Sequence, residues 1–425
     1  LLVMVVFMGL SGWAGALLNS HQRFAANAAI GLPYNLIMIS AIILAGRHWG
    51  IAGVAWATVL ATASQFLIQV PSIWQLRLPY RPAANFRHPG VIKMLSLAGP
   101  VLIGVGASQL NTIVDRMLAS GLMVGSISAL NYALRLMGLP QGLLGTPIVT
   151  VLYPRLAEKG TAGDYEGFRD LLARGLGILA FLMIPLAAGL VVLRQDIVSL
   201  AFQRGAFDAT DTAMTAFALL FYSLGLPFIL FRDYLARACY ALQDAVTPMW
   251  TGLLTVGMNI VFNLILVRYL AHGGLALATS LANLCGAAAV LIILRARLGG
   301  IGGAKLAGSL ARILVAAAAM AGVVWGLDAG GLHGTGWPLL APLLTSAPGA
   351  GGVAVFATVL IRLLLLVLVG GVVYSVAAYF LRSPEMDYCL ELLWQALDRI
   401  IPPKTQERLP RGLKMRLKAA VLREK

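Results

Sequence analysis

The chain has 425 residues, of which 59% are hydrophobic and 12% charged, with a mean hydropathy of +0.84. Soluble domains carry about 25% charged residues, so this composition excludes a soluble globular protein and implies a polytopic helical membrane protein. The net charge of +15 does not imply nucleic-acid binding, because the basic residues are scattered through short loops and one tail and form no continuous face.

Eleven apolar segments follow one another: 1–20, 31–46, 51–70, 95–119, 126–151, 175–193, 213–236, 248–268, 274–294, 309–327 and 354–381. Each is read as a helix crossing the bilayer, since about 20 residues at roughly 1.5 Å per residue span its hydrocarbon core. The chain begins at Leu1 inside the first segment, with neither a Met nor a basic leader, and is therefore read as starting within a longer protein. Alternate loops differ in basic content. On one side the loops hold only Arg47, Arg194, Arg204 and Arg268, while nearly all other loop lysines and arginines, and the basic tail, lie on the other side. The positive-inside rule then places the C-terminus in the cytoplasm and Leu1 outside.

An internal repeat is visible. Gly53-Val-Ala-Trp-Ala-Thr-Val-Leu-Ala61 matches Gly274-Leu-Ala-Leu-Ala-Thr-Ser-Leu-Ala282, and the same offset aligns Gln22 with Gln243. Repeats of this kind build transporter halves. The expected architecture is all-α: two pseudo-repeated six-helix bundles plus two C-terminal helices, with the first three helices preceding Leu1. In that scheme 1–70 is the remainder of the first bundle and 71–94 a cytoplasmic linker. Residues 95–296 form the second bundle. Residues 305–382 hold two further helices with an external loop at 328–351, and 383–425 form a basic amphipathic tail on anionic headgroups. Cys239, Cys285 and Cys389 have no metal-ligand spacing and read as buried thiols.

Few polar residues interrupt the spans. In 95–119, Ser108, Asn111, Thr112 and Asp115 fall on one helical stripe, with Arg116 pointing elsewhere. In 248–268, Thr251, Thr255, Asn259 and Asn263 recur every fourth residue, and 274–294 adds Thr279 and Asn283. One carboxylate among amide and hydroxyl oxygens suits a small hard cation such as sodium. Interhelical hydrogen bonding accounts equally well for the asparagines, and an ion pair to another helix would account for Asp115. Arg135 lies about mid-membrane in its span, where an arginine costs about 2.5–3.5 kcal/mol or more. It has no acidic residue one turn away. Its fork suits phosphate oxygens, and a helix-to-helix ion pair, for instance with Asp115, is the alternative. Pro140, Gly142, Gly145 and Pro147 follow it and allow a bend. Asp233 and Arg237 form an i,i+4 pair, and Asp244 precedes a turn into the next helix; both are read as structural or gating elements. No nucleophile elbow or histidine pair supports an enzyme.

Several stretches together resemble the MurJ (MviN) lipid II flippase family of the multidrug/oligosaccharidyl-lipid/polysaccharide exporter superfamily. They are GALLNSHQRFAANAAIGLPYNLIMI at 15–39, with Asn19, Arg23 and Asn35; RLMGLPQGLLGTPIVTVLYPRL at 135–156; LAFQRGAFDATDT at 200–212; and RACYALQDAVTP at 237–248. The resemblance implies a fourteen-helix transporter that moves the undecaprenyl-pyrophosphate-linked peptidoglycan precursor across the bacterial inner membrane by alternating access. The drive would be an ion gradient or the membrane potential. It matches Arg135 to a cavity arginine that engages pyrophosphate, with Arg116 as a second basic candidate, and places further cavity arginines in helices preceding this chain. It also matches Asp115, Asn259, Asn263, Thr279 and the Leu275 carbonyl to a sodium site, with Asn263 where some members carry a second acidic residue. The expected partners are lipid II and membrane lipids, with no nucleic acid and a monomeric state. No cofactor beyond a sodium ion is expected. Two alternatives are a drug or polysaccharide-lipid exporter of the same superfamily and, in another class, a polyprenyl-phosphate membrane enzyme.

Overall fold

The computed structural model describes residues 2–21, 23, 26, 29–76, 89–330 and 352–386. Every regular element among them is a helix. The chain divides into two compact units, Leu1–Met94 and Leu95–Lys425.

The first unit holds α1 (Leu2–Ser20), α2 (Gly31–Leu67) and the short α3 (Val70–Trp74). Helix α2 consists of two limbs that meet at a sharp turn at Gly50, matching the two spans expected at 31–46 and 51–70; the φ of 55° there is open to a residue without Cβ. Gln69 is fully buried and donates to Ser11 Oγ at 2.8 Å, tying α3 to α1. Residues 77–88 of the expected linker, the external loop from 331 and the tail from 387 lie outside the described residues.

The second unit runs through α4 (Pro89–Ser120), which starts before the unit boundary, then α5 (Ser126–Pro140) and α6 (Thr146–Ala162). It continues through α7 (Tyr165–Val192), α8 (Arg194–Phe202) and α9 (Ala209–Ala241). It ends with α10 (Val246–Leu298), α11 (Gly303–Gly330) and α12 (Gly352–Phe380). Helix α9 is the hub, packed against α5, α6, α7, α8 and α10. Helices α11 and α12 pair with each other and lean on α7 and α8. Among the described residues eight helices are long and apolar enough to cross a membrane, each bent helix counted by its qualifying stretch. The chain is a multi-pass membrane protein.

Helix α10 shows why the bundle suits lipid. Leu254, Val261, Leu264 and Ile265 are exposed, whereas Thr251, Thr255, Asn259 and Asn263 are buried. Its apolar stripe faces outward and its polar stripe inward, the reverse of a soluble helix, because hydrocarbon replaces water as the solvent. The spans expected at 248–268 and 274–294 are the two helical limbs of α10, which meet at a turn at Ala271, where φ is 46°. Close approach fixes the α9–α10 pair. A Cβ on Gly225 would collide with Ser280, whose hydroxyl instead donates to the Phe221 carbonyl at 2.7 Å.

Expected boundaries are too short at several ends, because helices run beyond the apolar stretch on capped, polar turns. Helix α7 begins at Tyr165, ahead of the 175–193 span, where Asp164 accepts from Gly167 N at 2.9 Å. Helix α9 begins at Ala209 on a capping box between Asp208 and Asp211. The short helices α3 and α8 carry no strong apolar period and were not among the expected spans.

Candidate functional site

Helices α4 and α10 bring their polar stripes together. Asn263 Nδ2 donates to Asp115 Oδ1 at 2.6 Å and lies 2.7 Å from Asn259 Oδ1. Asn259 Nδ2 reaches Thr279 Oγ1 at 3.3 Å, and Thr279 Oγ1 donates to the Leu275 carbonyl at 3.1 Å. Asn111 Nδ2 lies 3.4 Å from the other carboxylate oxygen of Asp115. Asp115, Asn263, Asn259, Thr279 and the Leu275 carbonyl therefore stand in one continuous chain across α4 and the two limbs of α10. The fold-back at Ala271 is what sets Thr279 and Leu275 beside Asn259. Ser108 lies outside the residues whose side chains are described.

The electrostatics of this cluster are unusual. Asp115 is half-buried, and among the described residues no lysine or arginine comes within ion-pair distance of it. Asn263 is fully buried, and its Oδ1 has no hydrogen-bond partner. An unmet buried acceptor costs about 1–3 kcal/mol, so an acceptor beside a carboxylate is suited to a cation. Rotating the Asn259 amide by half a turn directs its nitrogen at Asn111 Oδ1, 2.9 Å away, and its oxygen at Thr279. The amides can thus present either nitrogen or oxygen to the carboxylate. Every ligand available is a hard oxygen from a carboxylate, amide, hydroxyl or peptide carbonyl, a set that fits sodium and not a soft transition metal. Among the described residues no cluster of three or more His, Cys, Asp or Glu side chains stands ready for a metal.

Arg135 is exposed on α5, whose buried face is formed by Ala129, Leu130, Ala133, Leu136 and Met137. Among the described residues it makes no hydrogen bond and no ion pair, so the alternative pairing with Asp115 is absent here. A π-turn, Gln141–Gly145, separates α5 from α6 directly after Pro140. Pro140 and Pro147 cannot donate to the preceding turn, and Gly145 leaves the space that Leu230 fills. Arg116, next to Asp115 in sequence, is exposed and forms no ion pair with it.

Each of the other candidates belongs to one unit. In the first unit, Arg23 donates to Gln75 Oε1 at 2.8 Å. Asn35 is exposed near the start of α2, and Asn19 lines a cavity of about 420 Å³ with Ser11 and Gln65. In the second unit, Asp233 and Arg237 approach to 3.5 Å. Asp244 accepts from Val246 N and Thr247 N, both at 3.0 Å, and from Thr247 Oγ1 at 2.7 Å. Arg297 pairs with it at 2.7 Å, fastening the α9–α10 turn to the far end of α10. The Thr247 hydrogen bonds, side chain first, and then the nearby guanidinium hold the Asp244 carboxyl below the usual carboxylate range.

One constellation escaped the sequence. Arg362, buried in α12, pairs with Asp328 at the end of α11 and with Asp196 of α8, the latter at 3.5 Å. The available signal was an arginine inside Val359-Leu-Ile-Arg-Leu-Leu-Leu-Leu366. Its partners lie too far along the chain to be inferred from spacing. Cys239 is buried and Cys285 half-buried, both as free thiols, while Cys389 lies outside the described residues.

Comparison with known proteins agrees with this architecture. A family model described as lipid II flippase MurJ matches residues 1–335. The probable lipid II flippase MurJ of Vibrio cholerae serotype O1 is 35% identical over 279 residues, which cover 65% of this chain and 53% of that protein. The lipid II flippase MurJ of Burkholderia cenocepacia is 31% identical over 280 residues, covering 64% and 54% respectively. The chain thus spans about half the length of the curated relatives it matches. A solved structure of lipid II flippase MurJ in an inward closed conformation shares the fold. Its TM-score is 0.70 at 24% identity, with 89% of this chain and 72% of that chain covered. By the extent of the family match, this chain belongs to the lipid II flippase MurJ family.

Proposed function

We propose that the protein moves lipid II, the undecaprenyl-pyrophosphate-linked peptidoglycan precursor, from the cytoplasmic to the outer leaflet of the bacterial inner membrane by alternating access. Family membership supports this reading, and one observation carries it: Arg135. A guanidinium in an apolar helix is expensive to leave unpaired, and this one has no partner among the described residues. A doubly charged pyrophosphate would supply the missing oxygens, and the planar fork suits it better than a lysine would. The π-turn just below Arg135 gives α5 a place to flex as the cavity changes sides.

The cluster around Asp115 is proposed as the coupling site, with sodium held by Asp115, Asn259, Asn263, Thr279 and the Leu275 carbonyl. Its support is the unmet Asn263 Oδ1 beside an unpaired carboxylate. With sodium bound, amide oxygens would turn inward; without it, amide nitrogens would satisfy Asp115. The distribution of loop lysines and arginines supports a cytoplasmic C-terminus.

The direct experiment is complementation of flippase-depleted cells by the full-length protein, wild type against Arg135→Ala. The expected result is loss of precursor export with normal membrane insertion. Full rescue by the variant would remove Arg135 from pyrophosphate recognition.

A further inference from the structure

We propose that the glycine loop between α10 and α11, residues 299–302, together with Gly303 at the start of α11, forms with Arg169 and Arg295 a binding site for the phosphate of an anionic phospholipid headgroup. Three of its glycines take left-handed backbone angles: Gly299 at φ 70°, Gly300 at φ 124° and Gly302 at φ 62°. Side chains would strain these positions. The single apolar residue of the loop, Ile301, is 3% exposed and locked into the core beside Leu298 and Leu294. The loop is therefore anchored while its glycine backbone stays open to approach.

Two arginines flank its ends. Arg169 Nη2, from the beginning of α7, lies 3.5 Å from where a Cβ on Gly299 would stand. Arg295 Nη1, from the last turns of α10, lies 3.9 Å from the corresponding point on Gly303. Arg169 Nε is buried with no hydrogen-bond partner, an unmet charged donor that costs free energy until an acceptor arrives. Neither arginine forms an ion pair among the described residues. The acids nearby are already used or out of range: Asp244 takes Arg297 and Asp164 takes Lys159, while Glu166 and Asp170 do not pair with Arg169. This leaves a surplus of positive charge. Guanidinium forks bind phosphate oxygens in pairs.

The surroundings specify a lipid. One turn before Arg295, Ile292 and Ile293 are 67% and 41% exposed. A ligand with a phosphate at the loop and acyl chains along α10 would cover both surfaces, whereas a soluble phosphate would cover only one.

The test uses the purified chain in phosphatidylcholine nanodiscs containing a minor fraction of fluorescent phosphatidylglycerol. Saturable binding is expected, weakened roughly fivefold for each charge removed in Arg169→Gln and Arg295→Gln. Arg204→Gln, on another loop, should leave it unchanged. Arg295 is exposed, so its variant retains the fold and decides the matter if Arg169→Gln misfolds. Undiminished binding in Arg295→Gln, equal loss in Arg204→Gln, or equally strong competition by inorganic phosphate would each overturn the proposal. The first two outcomes indicate diffuse surface attraction and the third a soluble anion site.

Discussion

Asn263 and Asp115, 148 residues apart in the chain, meet at 2.6 Å through an amide nitrogen and a carboxylate oxygen. The contact joins α4 to α10 inside an apolar bundle, where each partner is costly alone. Asp115→Ala is expected to abolish any sodium-induced rise in melting temperature. Asn263→Asp adds a second carboxylate and should raise sodium affinity about tenfold, since ligand charge tunes affinity for hard cations. Melting curves across a sodium series, with potassium as control, check both. An unchanged shift in Asp115→Ala would remove Asp115 from the ion site.

Arg135 invites a graded replacement. Lysine keeps the charge and loses the planar fork, so Arg135→Lys should retain a small fraction of export and Arg135→Ala none, with all three proteins inserted equally. Precursor accessibility at the outer leaflet of depleted cells is the readout. Equal activity of the lysine and wild-type proteins would show that charge alone suffices there.

Arg362 balances two carboxylates from different helices. Arg362→Ala removes the buried cation facing Asp328 and Asp196 and should cost about 3–5 kcal/mol of stability, whereas replacing all three residues by apolar ones of similar size should cost little. Denaturant titration in micelles distinguishes the two. A mild Arg362→Ala would mean that lipid or water already solvates the acids.

Gly225 faces Ser280 with no room for a side chain. Gly225→Val must force α9 and α10 apart, with an expected loss of about 1–3 kcal/mol or more from overpacking, read as a lower melting temperature. Gly189, with nothing near its would-be Cβ, should accept alanine with little effect.

The Asp244 clasp gives a pH dependence of known sign. Its carboxyl lies below its ordinary value when folded, so its contribution is fully present above the unfolded value of about 3.9 and is lost as pH falls through the folded one. Wild-type stability should therefore drop faster than that of Asp244→Asn below about pH 4, and the two slopes should match above pH 5. Parallel slopes throughout would show that the clasp is broken in solution.

Much of this was legible without coordinates, because a bilayer makes the code coarse. Leu254, Val261 and Leu264 had to face hydrocarbon, so Thr251, Asn259 and Asn263 had to face protein. Proline and glycine after Arg135 marked the place where α5 gives way. The breaks at Gly50 and Ala271 fall where hydropathy already divides 31–46 from 51–70 and 248–268 from 274–294. Helices α7 and α9 start earlier than hydropathy indicates because Asp164 and Asp208 cap them outside the apolar window.

The sequence by itself determined the class of protein, the order of its spans and which few polar residues must be accounted for, since each such residue carries a cost that composition alone exposes. Only the tertiary structure decided which of them meet. Asp115 finds Asn263 and not Arg135, and Arg362 finds Asp196 and Asp328. The physical reason is that partners on different helices are selected by packing across the bundle. Spacing along one helix carries no record of that choice.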